Sequence, residues 1–429
     1  MNLFTKFSSR DKNIYFLLIT SCFYFLVNAF LNKYIAENFG TNGLLEFNYA
    51  FNLMSILLVV ACFGSETALV RQSIFFETKK ISGFNELYSA ISFFGIVFSI
   101  PVLFFFLTNY FKIDTLIFLA SLLIVFSAFF IQFLRIQFLK NSLGYVLQII
   151  QSVIFLFFIF FISTISENPN KNTFFIIIVI SYFLTYFSVL IIFYLLTPFG
   201  FKGIPIPYPK NLKSTEQVNK IKIVTKIALM TLVSNVFFNF SEIFLRDIAI
   251  SNGHSSDFAN VEAYIRITSW WLGLGISLIS FFYFPFFTEK ISEGKLVSNL
   301  YAFKHVAPVF LLLSFFGFIF SFLAFEFIFG RLFQLDLSVM IFFVLSGLFK
   351  LIGISFSGLH LIELRLRIFV VGEFLMTCLI VIIFYFLFMY NVDFSVNLFS
   401  EIYFFTNFLY MLFMILCRSF TKPYHVNNE

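Results

Sequence analysis

The chain has 429 residues, of which 60% are hydrophobic and 12% charged, with 75 phenylalanines and a mean hydropathy of +0.96. This excludes a water-soluble domain, because a packed core of that size still needs a polar shell to cover it. The net charge of +6 points to no nucleic-acid partner, since its position along the chain, traced below, is that of a membrane topology signal.

A hydrocarbon layer about 30 Å thick is crossed by roughly 20 apolar residues in a helix, and twelve such segments can be cut from the chain. They lie near 13–34, 46–68, 86–110, 115–135, 144–165, 173–197, 226–250, 260–286, 303–329, 337–360, 366–390 and 396–418. The expected class is therefore an all-α polytopic membrane protein of about twelve transmembrane helices. The first segment begins after a dozen residues, lacks a small-residue cleavage site and leads into another span, so it reads as retained and not as a signal peptide. Cys22, Cys62, Cys378 and Cys417 fall inside or at the ends of spans without a CxxC pair, and carry no disulfide or metal signal.

Between the sixth and seventh spans, 198–225 holds Pro205, Pro207, Pro209 and a run of lysines, the pattern of a connector joining two lobes. The expected organisation is a six-helix lobe at 1–197, a cytoplasmic linker at 198–225 and a second six-helix lobe at 226–429. A weak internal echo links Gly43-Leu-Leu-Glu46 with Tyr49 and Asn52, before span 2, to Asn260-Val-Glu262 with Tyr264 and Thr268, before span 8. Of the 28 Lys and Arg residues, 21 fall on one side of this topology and 5 on the other, with Arg266 and Lys350 inside spans. By the positive-inside rule both termini and the linker are cytoplasmic, and the basic excess is the ordinary state of loops beside anionic headgroups.

Polar residues inside spans recur at helical spacing. Thr231, Asn235, Asn239, Glu242 and Arg246 share an arc of roughly 80° on span 7. Glu262, Arg266, Ser269, Gly273, Ser277 and Ser280 do so on span 8, and Ser346, Lys350, Gly353, Ser357 and His360 on span 10. Span 2 repeats the pattern with Asn48, Asn52, Ser55, Cys62 and Glu66. Two readings stand side by side. Small and hydroxylic stripes are what any helix contact in lipid looks like, and Glu242 with Arg246, or Glu262 with Arg266, have the spacing of i,i+4 ion pairs. Alternatively, the stripes line an aqueous cavity whose cations Arg246, Arg266 and Lys350 receive an anionic cargo such as a pyrophosphate. Lys350 has no acid at i±3 or i±4, so it calls for a cavity or a partner from another span. Asn48, Asn52, Asn235, Asn239 and His360 are the polar cavity candidates. Glu66, Glu242, Asp247 and Glu262 are candidates for ion coupling, or for neutralising neighbouring arginines.

No G-x-x-x-x-G-K-[ST], HExxH or G-x-S-x-G occurs, so nucleotide binding and the common hydrolase chemistries have no motif here. His254, His305, His360 and His425 are too scattered to read as a metal site. No cofactor is expected, and the chain reads as a non-enzyme.

These residues resemble the Wzx-type flippases of O-antigen and other lipid-linked oligosaccharides, in the MOP superfamily that includes the MATE exporters. The likeness covers nearly the whole chain in span count and loop pattern. Its local marks are Phe39-Gly40 and Gly43 in the first outer loop and Gly64-Ser-Glu-Thr-Ala-Leu69-Val70-Arg71 leaving span 2. In the second half they are Phe244-Leu-Arg-Asp247, Glu262-Ala-Tyr-Ile-Arg266, Pro285, and Ser346-Gly-Leu-Phe-Lys350 with Arg365 and Arg367 after it. Members of the family often carry an acid just before that lysine, where this chain has Gly347. The resemblance implies two MATE-like six-helix lobes in a bacterial inner membrane, around a cationic cavity that opens alternately to either side. The implied cargo is an undecaprenyl-pyrophosphate-linked repeat unit moved from the cytoplasmic to the periplasmic leaflet by ion-coupled alternating access. Its implied partners are membrane lipid, a polysaccharide polymerase and a chain-length regulator, with the monomer as the working unit. The alternatives are a MATE-like exporter of small cations, which requires a cavity dominated by carboxylates and aromatics, and a polytopic polymerase or glycosyltransferase, for which every outer loop is short.

Overall fold

The computed structural model describes residues 8–62, 171–196, 215–390 and 394–420, with scattered positions within 64–71, 93–101 and 150–154. These residues form helices and no strands. In chain order they are α1 (Ser8–Ala61), α2 (Lys171–Leu196), α3 (Thr215–Ser251), α4 (Ser255–Leu278), a π turn (Ile279–Tyr283), α5 (Phe284–Ser292), α6 (Asn299–Phe329), α7 (Leu337–Ile362), α8 (Leu366–Met389) and α9 (Val396–Phe420). Among the described residues six helical stretches are long and apolar enough to cross a membrane, namely Phe25–Ala61, Ile221–Ser251, Asn299–Phe329, Leu337–Ile362, Leu366–Met389 and Val396–Phe420. The spans expected at 86–110, 115–135 and 144–165 lie almost wholly outside the described residues, as does most of the expected linker. Its last part, 215–225, is the opening of α3.

The first outer loop expected around Phe39, Gly40 and Gly43 is instead helix. α1 runs through both expected spans and bends at Gly40, whose φ of 63° and ψ of −157° lie outside the helical region. A residue without Cβ adopts that conformation at little cost, so the break in the helix falls at one position where a loop was expected.

The chain divides into two compact units, one of Met1–Leu31 with Glu46–Val236 and one of Asn32–Leu45 with Phe237–Glu429. In the first, Phe47 of α1 meets Phe174 of α2 edge to face at 5.6 Å. At the end of α1, Gly64 has a φ of 58° and lies so close to α3 that an added Cβ would stand 2.4 Å from the Leu232 nitrogen and 2.6 Å from the Ala228 carbonyl oxygen. In the second unit Glu37 of the Asn32–Leu45 segment pairs with Arg331 at 3.4 Å and, one turn back on its own helix, with Lys33 at 3.9 Å.

Local chemistry fixes the other elements of the second unit. Pro285 can give no backbone hydrogen bond and crowds the turn before it. The helix accommodates this with the π turn, in which Phe284 donates to the Ile279 carbonyl five residues back. Asp336 caps α7, accepting from the Ser338 and Val339 amides. The Ser338 hydroxyl, with those amides, holds its carboxyl below the usual carboxylate range. Tyr264 of α4 lies between Phe325, at 4.4 Å, and Phe343, at 5.6 Å, and accepts from the Asp336 amide at 2.7 Å. Trp271 of α4 wedges between two glycines. A Cβ at Gly317 or Gly347 would stand 2.7 Å or 2.6 Å from its ring.

The contact at Gly64 leads to a direct test. Gly64→Ala adds left-handed strain and a clash with backbone that cannot rotate away, together about 2–5 kcal/mol. Gly253→Ala, at a φ of 84° with nothing within 4 Å of the added atom, costs only the strain, about 1–2 kcal/mol. Melting followed by fluorescence-detected size exclusion in detergent should put the Gly64 variant well below the Gly253 variant. Equal losses would remove the close approach of α1 to α3.

Candidate functional site

The stripe expected on span 10 is real, and most of it forms the seam between α7 and α9, which run parallel. Ser346 donates to the Tyr403 carbonyl at 3.3 Å and receives the Asn407 amide at 2.9 Å. Gly353 leaves room for the Tyr410 ring, 2.4 Å from where its Cβ would be. His360 donates from Nε2 to the Met414 carbonyl at 2.9 Å. Ser346, Asn407, Tyr410 and His360 are all fully buried. His360 is thus an anchor between two helices of one unit.

Two charged side chains on this seam behave differently. Lys350, half-buried in the middle of α7, reaches Tyr403 Oη at 3.4 Å, a long bond, and lies 4.2 Å over the Phe238 ring of α3. Among the described residues it has no carboxylate within 4 Å. Glu373, half-buried on α8, accepts at one oxygen, Oε1, from Ser357 of α7 at 2.8 Å and from Tyr410 of α9 at 2.5 Å. Two hydroxyls from two helices therefore cradle a carboxyl at membrane depth.

Arg246 sits elsewhere. Its Nε donates to Glu262 Oε1 at 2.5 Å and a terminal nitrogen meets the same oxygen, joining α3 to α4 with side-chain exposures of 3% and 6%. Arg246 thus crosses to the neighbouring helix, a pairing that the i,i+4 alternatives did not contain. Arg266, Glu242 and Asn239 are half-buried, while Asp247 and Asn235 are exposed. Asn48 and Asn52 are buried in the first unit, which also holds Asn235, whereas the other described candidates belong to the second. Glu66 lies outside the described residues.

A second charge cluster was missed in the sequence. Buried Arg418 of α9 donates to Glu363 at 2.5 Å, to the Val297 carbonyl at 2.5 Å and to the Asn299 side chain, tying the start of α6 to the ends of α7 and α9. Arg365 meets the other Glu363 oxygen at 3.1 Å and donates to the Arg418 carbonyl at 3.1 Å. Leu364 between them has a φ of 58°, a strain of about 1–2 kcal/mol that this network offsets. The missed partners on α9 did carry a signal, because Ser400, Tyr403, Asn407 and Tyr410 recur at helical spacing on a stripe of their own.

No family model and no curated protein matches the sequence. Solved structures do share the fold. An outward-facing multidrug resistance MATE family transporter of the MOP superfamily aligns with a TM-score of 0.62 at 15% identity, over 96% of this chain and 97% of its own. A eukaryotic MATE transporter aligns with a TM-score of 0.64 at 14% identity, over 97% of each chain. A MOP superfamily transporter from Pyrococcus furiosus, described as having a binding pocket of reversed polarity that suggests a different function, aligns at 0.59 and 15%, over 95% and 94%. The architecture is therefore MATE-like, that of a multi-pass helical membrane protein.

The Arg246–Glu262 pair yields a stability test. Replacing either residue with Ala leaves its partner buried and should cost about 3–5 kcal/mol, whereas Arg246→Met with Glu262→Leu should recover most of that loss. Thermal melting of the purified variants reads the difference. A double variant no better than the single ones would place the role of these residues beyond their mutual pairing.

Proposed function

We propose that the protein transfers an undecaprenyl-pyrophosphate-linked oligosaccharide repeat unit from the cytoplasmic to the periplasmic leaflet of a bacterial inner membrane, by ion-coupled alternating access. The observation that carries this reading is Lys350. An ammonium at mid-membrane depth costs about 2.5–3.5 kcal/mol by insertion measurements. Ring faces and one long hydroxyl contact offset part of this but among the described residues leave its charge without an anion at bonding distance. A diphosphate headgroup supplies that anion, while the polyprenyl tail stays in lipid. Arg266, half-buried one helix away, is a further cation for the same headgroup. The MATE-like architecture supports a transporter, and the basic residues on its helix faces favour an anionic cargo over the cations of a drug exporter. The sugar chain is expected to pass on to a polymerase and a chain-length regulator.

The Lys350 series tests this. Lys350→Arg keeps the charge with different shape and hydration and should retain part of the activity. Lys350→Gln should lose transport, and Lys350→Glu should be worst, since a carboxylate repels the cargo in a low-dielectric site. The readout is accumulation of the lipid-linked repeat on the cytoplasmic leaflet against its appearance as surface polysaccharide, at equal protein level. Full function of Lys350→Leu combined with Glu373→Gln would sink the headgroup role and leave charge compensation as the account. Efflux of organic cations that survives Lys350→Gln would favour the exporter reading instead.

A further inference from the structure

We propose that Tyr403 is a second ligand of the cargo's phosphoryl oxygens, its hydroxyl donating to the same diphosphate that Lys350 receives. This rests on the reading of Lys350 as the headgroup site and adds a neutral donor from a different helix. Lys350 Nζ lies 3.4 Å from Tyr403 Oη. An ammonium has hydrogens and no lone pair, so in this contact the lysine donates and the phenol oxygen accepts. The phenol hydrogen is left over, and among the described residues it meets no acceptor. The ammonium also keeps hydrogens in reserve, since its nearest other contact is the face of the Phe238 ring at 4.2 Å. Two donor groups from α7 and α9 thus stand side by side with hydrogens to spare. A cation on the phenol oxygen would meet the repulsion of Lys350, whereas a phosphoryl group, with several oxygens able to accept, takes a hydrogen from both donors.

The hydroxyl is held in place independently of Lys350. The Tyr403 carbonyl accepts from the Ser346 hydroxyl at 3.3 Å and from the Asn407 amide at 2.8 Å. Its ring packs against Phe343 of α7 at 5.6 Å and Phe399 of α9 at 6.0 Å. Backbone and ring are both pinned, so the donor is preorganised and binding has no further side chain to order there. The lysine contact is more easily exchanged. At 3.4 Å it is long for a hydrogen bond, and a diphosphate replaces it with two charge-assisted ones, each stronger than the bond given up. Lysine alone is a compact point charge with little directional preference. The fixed phenol beside it gives the site a direction.

The test is titration calorimetry on the whole protein in lipid nanodiscs, with the short-chain probe farnesyl-diphospho-N-acetylglucosamine, at about pH 6, where phenols stay protonated. Tyr403→Phe keeps the ring and its packing and removes only the hydroxyl. It should weaken binding roughly tenfold to a hundredfold, the usual cost of losing a hydrogen bond to a charged group. A monofluorotyrosine at position 403, introduced by stop-codon suppression, is a stronger donor and a poorer acceptor. It should bind the probe more tightly than the wild type. A hydroxyl that only steadied Lys350 by accepting from it would make both variants bind more weakly. One that only competed for the ammonium would make Tyr403→Phe bind more tightly. Either result, with binding still lost in Lys350→Gln, would overturn the role of Tyr403 and leave the headgroup site intact. Absence of binding to the wild type, or binding indifferent to Lys350→Gln, would overturn the headgroup site itself and this inference with it. Should Tyr403→Phe fail to fold, a fluorotyrosine variant that binds no more tightly than the wild type overturns the donor role on its own.

Discussion

Hydrocarbon offers no hydrogen-bond partners, so a polar side chain at membrane depth must find one within its own bundle. This constraint organises the second unit. Isolated hydroxyls meet it by turning back on their own helix, as Thr268 does to the Tyr264 carbonyl, Ser314 to Phe310 and Ser355 to Leu351. Larger groups meet it across the α7–α9 seam, where Asn407 spans Ser346 and the Tyr403 carbonyl and His360 reaches Met414. The seam is narrow because Gly353 and the serines on α7 bring the helices close, and that closeness places the Tyr410 hydroxyl against Glu373. Packing and polar satisfaction are thus one arrangement here, and the site is built upon it.

Charges fall into two kinds under the same constraint. Arg246 with Glu262, and Arg418 with Glu363, are closed pairs at short range, where mutual attraction and extra hydrogen bonds offset the cost of leaving water. Lys350 and Glu373 are held by rings and hydroxyls on the same seam without closing on each other within 4 Å. A protein that needed both charges only for stability would gain by closing the pair or replacing it with apolar residues. Ionisable groups held in hydrocarbon without a closed partner are the ones most often found at functional sites.

The sequence made the stripe on span 10 legible, since Ser346, Gly353, Ser357 and His360 follow the helical period. It did not show what the stripe faces, because serine, glycine and histidine serve a buried helix contact as well as a wet cavity. Arg246 and Glu262 were both singled out, but nothing in their spacing distinguishes pairing across two helices from pairing with the residues four positions along. Glu373 was not among the candidate acids read from the sequence. It stands alone in a span of Phe, Leu, Val and Ile, and its donors come from residues 357 and 410, which only the fold brings to it. The bend at Gly40 was read as a loop because glycine marks a break in helix without saying how many residues the break consumes.

Gly347 connects these points. Proteins of the resembling family often carry an acid just before the lysine of span 10, and there a counter-charge lies on the same helix as the ammonium. Here that position faces Trp271, whose ring stands 2.6 Å from any added Cβ, so a side chain at 347 and the indole exclude one another. Trp271 also occupies the space beside Gly317 on α6, which makes the wedge part of the packing of three helices and not an adjustable contact. Lys350 itself rests over the Phe238 ring and against the Tyr403 hydroxyl, and the acid of this seam comes from α8, as Glu373. That acid, held by hydroxyls from two other helices, is placed by the packing of the fold and not by spacing along the helix that carries the lysine.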